Sequence, residues 1–258
     1  MAVVADKAQR PAWRGLVVPA VFTLIGLAVL ISLGNWQVRR LAWKEDLIAT
    51  IDARIASEPI SLEAALAEWK KIGDIAYQPV RLTGTFDHSH EFHVNSTDKG
   101  DVGWNVYTPL VTGDGHTVLV NRGFVPYEKK DAESRAAGQI EGPVAFVGLA
   151  RTPLAEKPNY FVPDNDVAGN VFYWRDFATM AKEAGLAGDP GLVPFFVEVR
   201  EMEVSGGWPR GGVTRVRLPN SHLQYAVTWY GLALTLAGVF AAFAWSRLKR
   251  RPDGAEPS

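Results

Sequence analysis

The chain has 258 residues, 47% of them hydrophobic and 21% charged, with a formal net charge of −1. That balance is too apolar for a disordered chain and too neutral overall for a nucleic-acid binder. There is no cysteine, which excludes disulfides, zinc–thiolate sites, cysteine-ligated iron–sulfur clusters and cysteine nucleophiles.

Residues 1–14 form a short basic tail carrying Lys7, Arg10 and Arg14. Residues 15–34 (GLVVPAVFTLIGLAVLISLG) hold no charge, and neither do Tyr225 to Trp245 (YAVTWYGLALTLAGVFAAFAW). As helices rising about 1.5 Å per residue, each spans roughly 30 Å, the thickness of a bilayer's hydrocarbon core. Both are expected to be transmembrane helices rather than buried core helices. A cleaved signal peptide competes for the first, but the apolar stretch is long for one and no A-x-A-like site follows it. Lys7, Arg10 and Arg14 before the first helix, and Arg247, Lys249, Arg250 and Arg251 after the second, put both short tails in the cytoplasm. The long middle segment is then periplasmic. A leader of 14 residues that includes Asp6 is a poor mitochondrial transit peptide, which favours a bacterial inner membrane.

Trp36, Trp43, Leu47, Ile51 and Ile55 extend the first helix at near-helical spacing until Pro59. A second helix is expected from Ser61, its N-cap, to about Lys71, with Gly73 ending it. The pattern then turns to strands over residues 78–86, 91–94, 103–112, 116–121, 143–151, 170–174 and 194–204. Gly113-Asp114-Gly115 marks a hairpin. One helix, residues 175–184, interrupts before Gly185. SGGWPRGGV, from Ser205, reads as a linker and RPDGAEPS as a disordered tail. The expected fold is an α+β membrane protein: two terminal transmembrane helices flanking a β-rich antiparallel domain, as a small barrel or curled sheet, since closure removes exposed edges. The expected segments are 1–14 N-tail, 15–34 first membrane helix, 35–222 periplasmic domain, 223–245 second membrane helix and 246–258 C-tail.

Three constellations could carry chemistry. DHSHEFH holds His88, His90, Glu91 and His93, whose imidazoles and carboxylates suit zinc or copper. On an extended strand, however, His93 faces away from His88 and His90, so a three-histidine site needs a turn. The alternative is a solvated polar connection. Arg122, at the end of an apolar strand, could pair with a carboxylate or a haem propionate, or lie at the surface as most arginines do. The third lies at the mouth of the last helix, where His222, Tyr225, Ala226 and Trp229 fall on one face. That face is either an aromatic belt capped by Asn220 or Ser221, or a haem edge with His222 as axial ligand to the iron. Gly231 with Thr235, and Gly238 with Ala242, offer small residues for packing on the first helix. No phosphate loop, nucleophile elbow or readable carboxylate pair is present.

Four blocks carry a resemblance to a known family: LGNWQVRRLAWKEDLI, PVRLTGTFDHSHEFHV, GWNVYTPLVTGDGHTVLVNRGFVP and PNSHLQYAVTWYGLA. The chain resembles the Surfeit locus protein family of cytochrome c oxidase assembly factors. The resemblance implies a non-enzymatic helper that binds haem a and assists its insertion into subunit I of an aa3-type oxidase. His222 matches the family histidine, with Tyr225 and Trp229 packing the macrocycle. It implies subunit I and haem a synthase as partners; membrane lipid follows from the two apolar spans, and the near-neutral charge argues against nucleic acid. A cofactor-free scaffold holding a subunit I intermediate is the competing reading, and a periplasmic metal-dependent enzyme using His88, His90 and Glu91 a weaker one.

Overall fold

A computed structural model describes residues 15–212 and 219–249. The basic N-tail, Val213 at the end of SGGWPRGGV, Arg250 and the RPDGAEPS tail lie outside the described residues. Two compact units emerge, one running through Ala49 and resuming after residue 217, the other taking up the chain from Thr50.

The first unit holds two long helices, the N-terminal part of α1 (Val17–Ile55) and α4 (His222–Lys249). Both are long and apolar enough to cross a membrane. Large apolar side chains such as Phe22, Leu24 and Leu234 point outward, as lipid-facing positions must. The helices run antiparallel: Gly15 lies near Arg247, Gly26 meets Leu236, and Gly34 meets Tyr230. A Cβ on Gly34 would come within 2.7 Å of the Tyr230 ring, so glycine permits the close approach. On α4 the buried positions are Ala226 and Ala233. The expected Gly231/Thr235 and Gly238/Ala242 face is wrong: both glycines are exposed, with no neighbour within 4 Å of an added Cβ. The seam follows His222, Ala226, Trp229 and Ala233 at alternating four- and three-residue steps, and that stripe turns Gly231 and Gly238 away.

The second unit is built on a seven-stranded sheet in the order β1-β2-β6-β7-β5-β4-β3, closed by a further β2–β4 pairing. The strands are β1 (Ile60–Ser61), β2 (Pro79–Phe86), β3 (Phe92–Asp98), β4 (Asp101–Thr112), β5 (Thr117–Pro126), β6 (Pro143–Arg151) and β7 (Phe196–Val199). β2, β6, β7, β5 and β4 therefore make a closed five-stranded barrel, with β1 and β3 sharing the free lengths of β2 and β4. Alternate residues fill it: Val80 and Leu82, Leu110, Val118 and Val120, Phe146 and Ala150, Val197 and Val199. Leu62 and Ala65 of α2 (Leu62–Ile72) join this core. Ser61 caps α2 by accepting from Ala64 N, and Gly73 ends it at φ 67°, a conformation that favours glycine. Outside the barrel, Phe92, Tyr107, Leu119, Phe172 and Phe196 pack with α3 (Phe177–Glu183). Asp176 caps α3, which therefore starts two residues later than the periodicity suggests.

Three expectations need correction. Residues 170–174 are not a strand and make only isolated bridges from Val171 and Phe172. The strand expected over 194–204 contracts to β7, because β5 and β6 pair only its first part. Residues 205–212 of the expected linker are not free: Arg210 exchanges two 2.9 Å backbone hydrogen bonds with Phe124 and ion-pairs with Asp98, and Trp208 packs against the cluster of Trp104, Val106 and Val125.

Candidate functional site

In the barrel unit, DHSHEFH does form a turn, a 3-10 helix over His88–His90 with Asp87 as its cap. The turn separates the histidines instead of gathering them. His88 Nε2 donates to Ile140 O at 2.9 Å, His90 Nδ1 meets Asp87 at 2.7 Å, and His93 is buried edge-on to Trp104. Among the described residues no group of three His, Asp or Glu side chains is placed to hold a metal ion.

The centre of this segment is Glu91. Its Oε1 accepts from Arg122 Nη1 at 2.9 Å, from Gln139 Nε2 at 3.1 Å and from Arg135 Nη1 at 3.2 Å, while Oε2 accepts from Arg135 Nη2. Arg122 is fully buried, stacks over Phe86 and also donates to Gln139 and the Gly138 carbonyl. The expectation of a surface arginine is therefore overturned. Arg122 takes its carboxylate from its own chain, and its burial leaves no room for a haem propionate. Burial alone would raise the Glu91 pKa, but the approach of His88 Nδ1 to 3.8 Å, the hydrogen bonds from Arg135 and the charges of Arg135 and Arg122 hold it far below the usual carboxylate range. Burial, followed by opposing contributions from Glu91 and the Arg135 and Lys130 charges, pushes His93 down to about 4.

His93 makes stability depend on pH. An unfolded histidine takes its proton near 6.5, the folded one only near 4, so stability is full above 6.5 and falls as pH drops between these values. The loss reaches about 3 kcal/mol at pH 4. Chemical-denaturation midpoints measured from pH 7.5 to 4 should fall over this window, and His93→Gln should flatten the curve.

The signal for the cluster was present in the sequence. Strand alternation puts Arg122 in phase with Val118 and Val120, both core-facing. A cation in that phase requires a buried partner.

In the helical unit, His222 opens α4, with its backbone N–H directed at Asn220 Oδ1 at 3.4 Å. Its Nδ1 lies 2.7 Å from Oε1 of Gln37, a buried residue of α1. An amide oxygen only accepts, so Nδ1 carries the proton and the Nε2 lone pair is available. Among the described residues Nε2 has no hydrogen-bond partner. One α4 turn pair further on, the Tyr230 hydroxyl donates to Asn35 Oδ1 at 2.7 Å, and Lys44 reaches the Pro219 carbonyl. The helix pair is thus clasped by polar bonds at this end. Of the aromatic residues assigned to the His222 face, Trp229 is half-buried on the seam, whereas Tyr225 is 53% exposed and turned off it. Sequence reading missed Gln37, Asn35 and Tyr230 as cross-helix partners. Their spacing within α1 and α4 is visible, but not the register between the two helices.

The SURF1 family model matches residues 24–234. The chain is similar to Surfeit locus protein 1 of Gallus gallus, 39% identical over 232 residues, covering 83% of this chain and 70% of that protein. The Homo sapiens Surfeit locus protein 1 is 40% identical over 219 residues, 78% of this chain and 69% of its own length. A SURF1-like protein of Drosophila melanogaster is 31% identical over 253 residues, 90% of this chain and 78% of its own length.

Proposed function

This chain belongs to the SURF1 family, and from that premise we propose that it is an assembly factor for an aa3-type haem-copper cytochrome c oxidase. It receives haem a at His222 and assists its insertion into subunit I. The proposal places α1 and α4 across a bacterial inner membrane, with both termini in the cytoplasm and the barrel unit in the periplasm, as the basic residues Arg247 and Lys249 at the end of α4 suggest. Its partners are subunit I, haem a synthase and lipid, and it performs no covalent chemistry.

The observation that carries this reading is the Gln37–His222 hydrogen bond at 2.7 Å. A ligating histidine has its other ring nitrogen held by an outer partner, which fixes tautomer and ring orientation. Gln37 does so here and leaves Nε2 as the donor for an axial bond, the donor type that haem iron takes. Haem a, when bound, would offer its iron as the acceptor for the Nε2 lone pair, and the macrocycle would be cargo. Trp229 offers a ring on the seam side, and Tyr225 borders the outward side of the same turn, where an apolar tail meets lipid.

The test is an absorption spectrum of full-length protein purified after co-expression with haem a biosynthesis enzymes. Wild type should carry haem stoichiometrically, His222→Ala should lose most of it, and Gln37→Leu should weaken retention about tenfold or more while leaving the helix pair folded. A colourless wild-type protein in cells whose oxidase matures normally would overturn the reading. If that colourless protein co-purified with subunit I, and His222→Ala did so equally, the cofactor-free scaffold would replace it.

A further inference from the structure

We propose that the outer face of the barrel carries a binding site for a small organic monocarboxylate, in the cavity where Arg151 and Arg175 converge on Glu198. The cavity measures about 330 Å³, within the range of about 300–1,000 Å³ that ligand sites occupy. Its floor is a polar row on the outward face of three adjacent strands: Tyr107 on β4, Asn121 on β5 and Glu198 on β7. Their neighbours Val120 and Val197 point into the barrel, so alternation turns this row out. The segment after β6 covers it and supplies Arg175 and Trp174.

That covering segment has no need of a polar floor. Elsewhere on the same outer face Leu119 and Phe196 pack directly against Phe172 and α3. At the cavity the contact is replaced by space and by charge that does not balance. Arg175 Nη1 lies 3.0 Å from Glu198 Oε1, and Arg151 Nε lies 3.6 Å from the same oxygen. One carboxylate serves two guanidiniums. Burial, and then the charge of Glu198, pushes the Tyr107 hydroxyl well above its ordinary range, so it supplies no counter-charge. The lining side chains thus keep one excess positive charge, with Arg151 and Arg175 only 18% and 21% exposed. Asn105 Oδ1 and Arg151 Nη1, both from lining residues, are buried without a hydrogen-bond partner among the described residues. A cation so poorly solvated favours an anion that brings its charge into the cavity. The charge excess is one, which suits a carboxylate better than a phosphate monoester. Leu154 and Trp174 offer the apolar wall for the rest of the molecule.

Benzoate is a suitable probe and benzamide its neutral match. Saturation-transfer NMR on the full chain in detergent should show benzoate bound and benzamide not, with contacts from the benzoate ring to the Trp174 indole. Arg151→Gln should weaken benzoate about tenfold or more, the effect of one lost charge-assisted hydrogen bond. Equal signals from benzoate and benzamide would overturn the proposal, as would a benzoate affinity unchanged in Arg151→Gln. Should that variant fail to fold, the wild-type contacts decide: saturation that reaches no Trp174 proton overturns it too. The outcome is independent of haem, since no residue of the His222 region takes part.

Discussion

Glu91→Gln will lower the stability of the barrel unit by about 3–5 kcal/mol, the usual cost of removing one partner from a buried ion pair. The substitution keeps the shape and one acceptor oxygen but removes the only negative charge that Arg122 and Arg135 contact in this cluster, and those side chains are 0% and 1% exposed. Near-UV circular dichroism of the full chain should show a thermal midpoint about 10 °C or more lower. Arg122→Met alone should also destabilise, because Glu91 then keeps one guanidinium instead of two. The pair Glu91→Gln with Arg122→Met should cost less than the sum of the two single changes, since the second change removes a charge the first left stranded. A midpoint within about 2 °C of wild type for Glu91→Gln would show that water reaches the cluster and screens it. Acid should act the same way. The Glu91 carboxylate is held below its usual range, so its stabilisation is complete above about pH 4.5 and is lost as pH falls below it, beneath the window set by His93.

Gly123→Ala should be comparably severe, about 3 kcal/mol or more. Gly123 sits at φ 129°, and a Cβ there would lie 2.0 Å from the Arg210 carbonyl oxygen. The backbone, not a flexible side chain, is the obstacle, so relief requires the Phe124–Arg210 bridge to part. Trp208, packed against the cluster of Trp104, Val106 and Val125, should lose its shielding at the same time. Two readouts check this: a lowered thermal midpoint, and new protease cleavage within residues 200–212. A variant as stable and as protease-resistant as wild type would mean that the segment shifts without penalty.

Both sites show how far the sequence reaches. The apolar spans, the α2 caps, the hairpin at Gly113–Gly115 and the barrel class follow from local rules of length, capping, turn chemistry and alternation. Arg122 was legible in phase, since it shares its face with Val118 and Val120. Its partner was not, because Glu91 is 31 residues away and pairing at that distance depends on strand register. The His222 face was legible as a stripe, but Gln37 lies 185 residues away. The order of helix packing also decides which small residues are covered: Gly34 meets Tyr230 and Gly26 meets Leu236, while Gly231 and Gly238 have no neighbour within 4 Å of an added Cβ. Residues 170–174 looked like a strand because Val171, Phe172 and Tyr173 favour one. Of these only Phe172 is buried, by packing on the barrel wall, and that needs no ladder.

The position of β7 has a consequence for the order of events during synthesis. β7 has four residues, yet it is the piece that joins β5 to β6 and completes the ring. Until Phe196–Val199 leaves the ribosome, β5 and β6 each present an unpaired edge, and Val120 and Ala150 have no partner strand on that side. Nearly the whole unit therefore has to be made before its core can be sealed, and the second membrane helix is made only afterwards. A nascent chain stopped short of Phe196 exposes two adjacent apolar edges, and such edges recruit other strands. Premature termination in this stretch should yield aggregates and not a soluble partial domain.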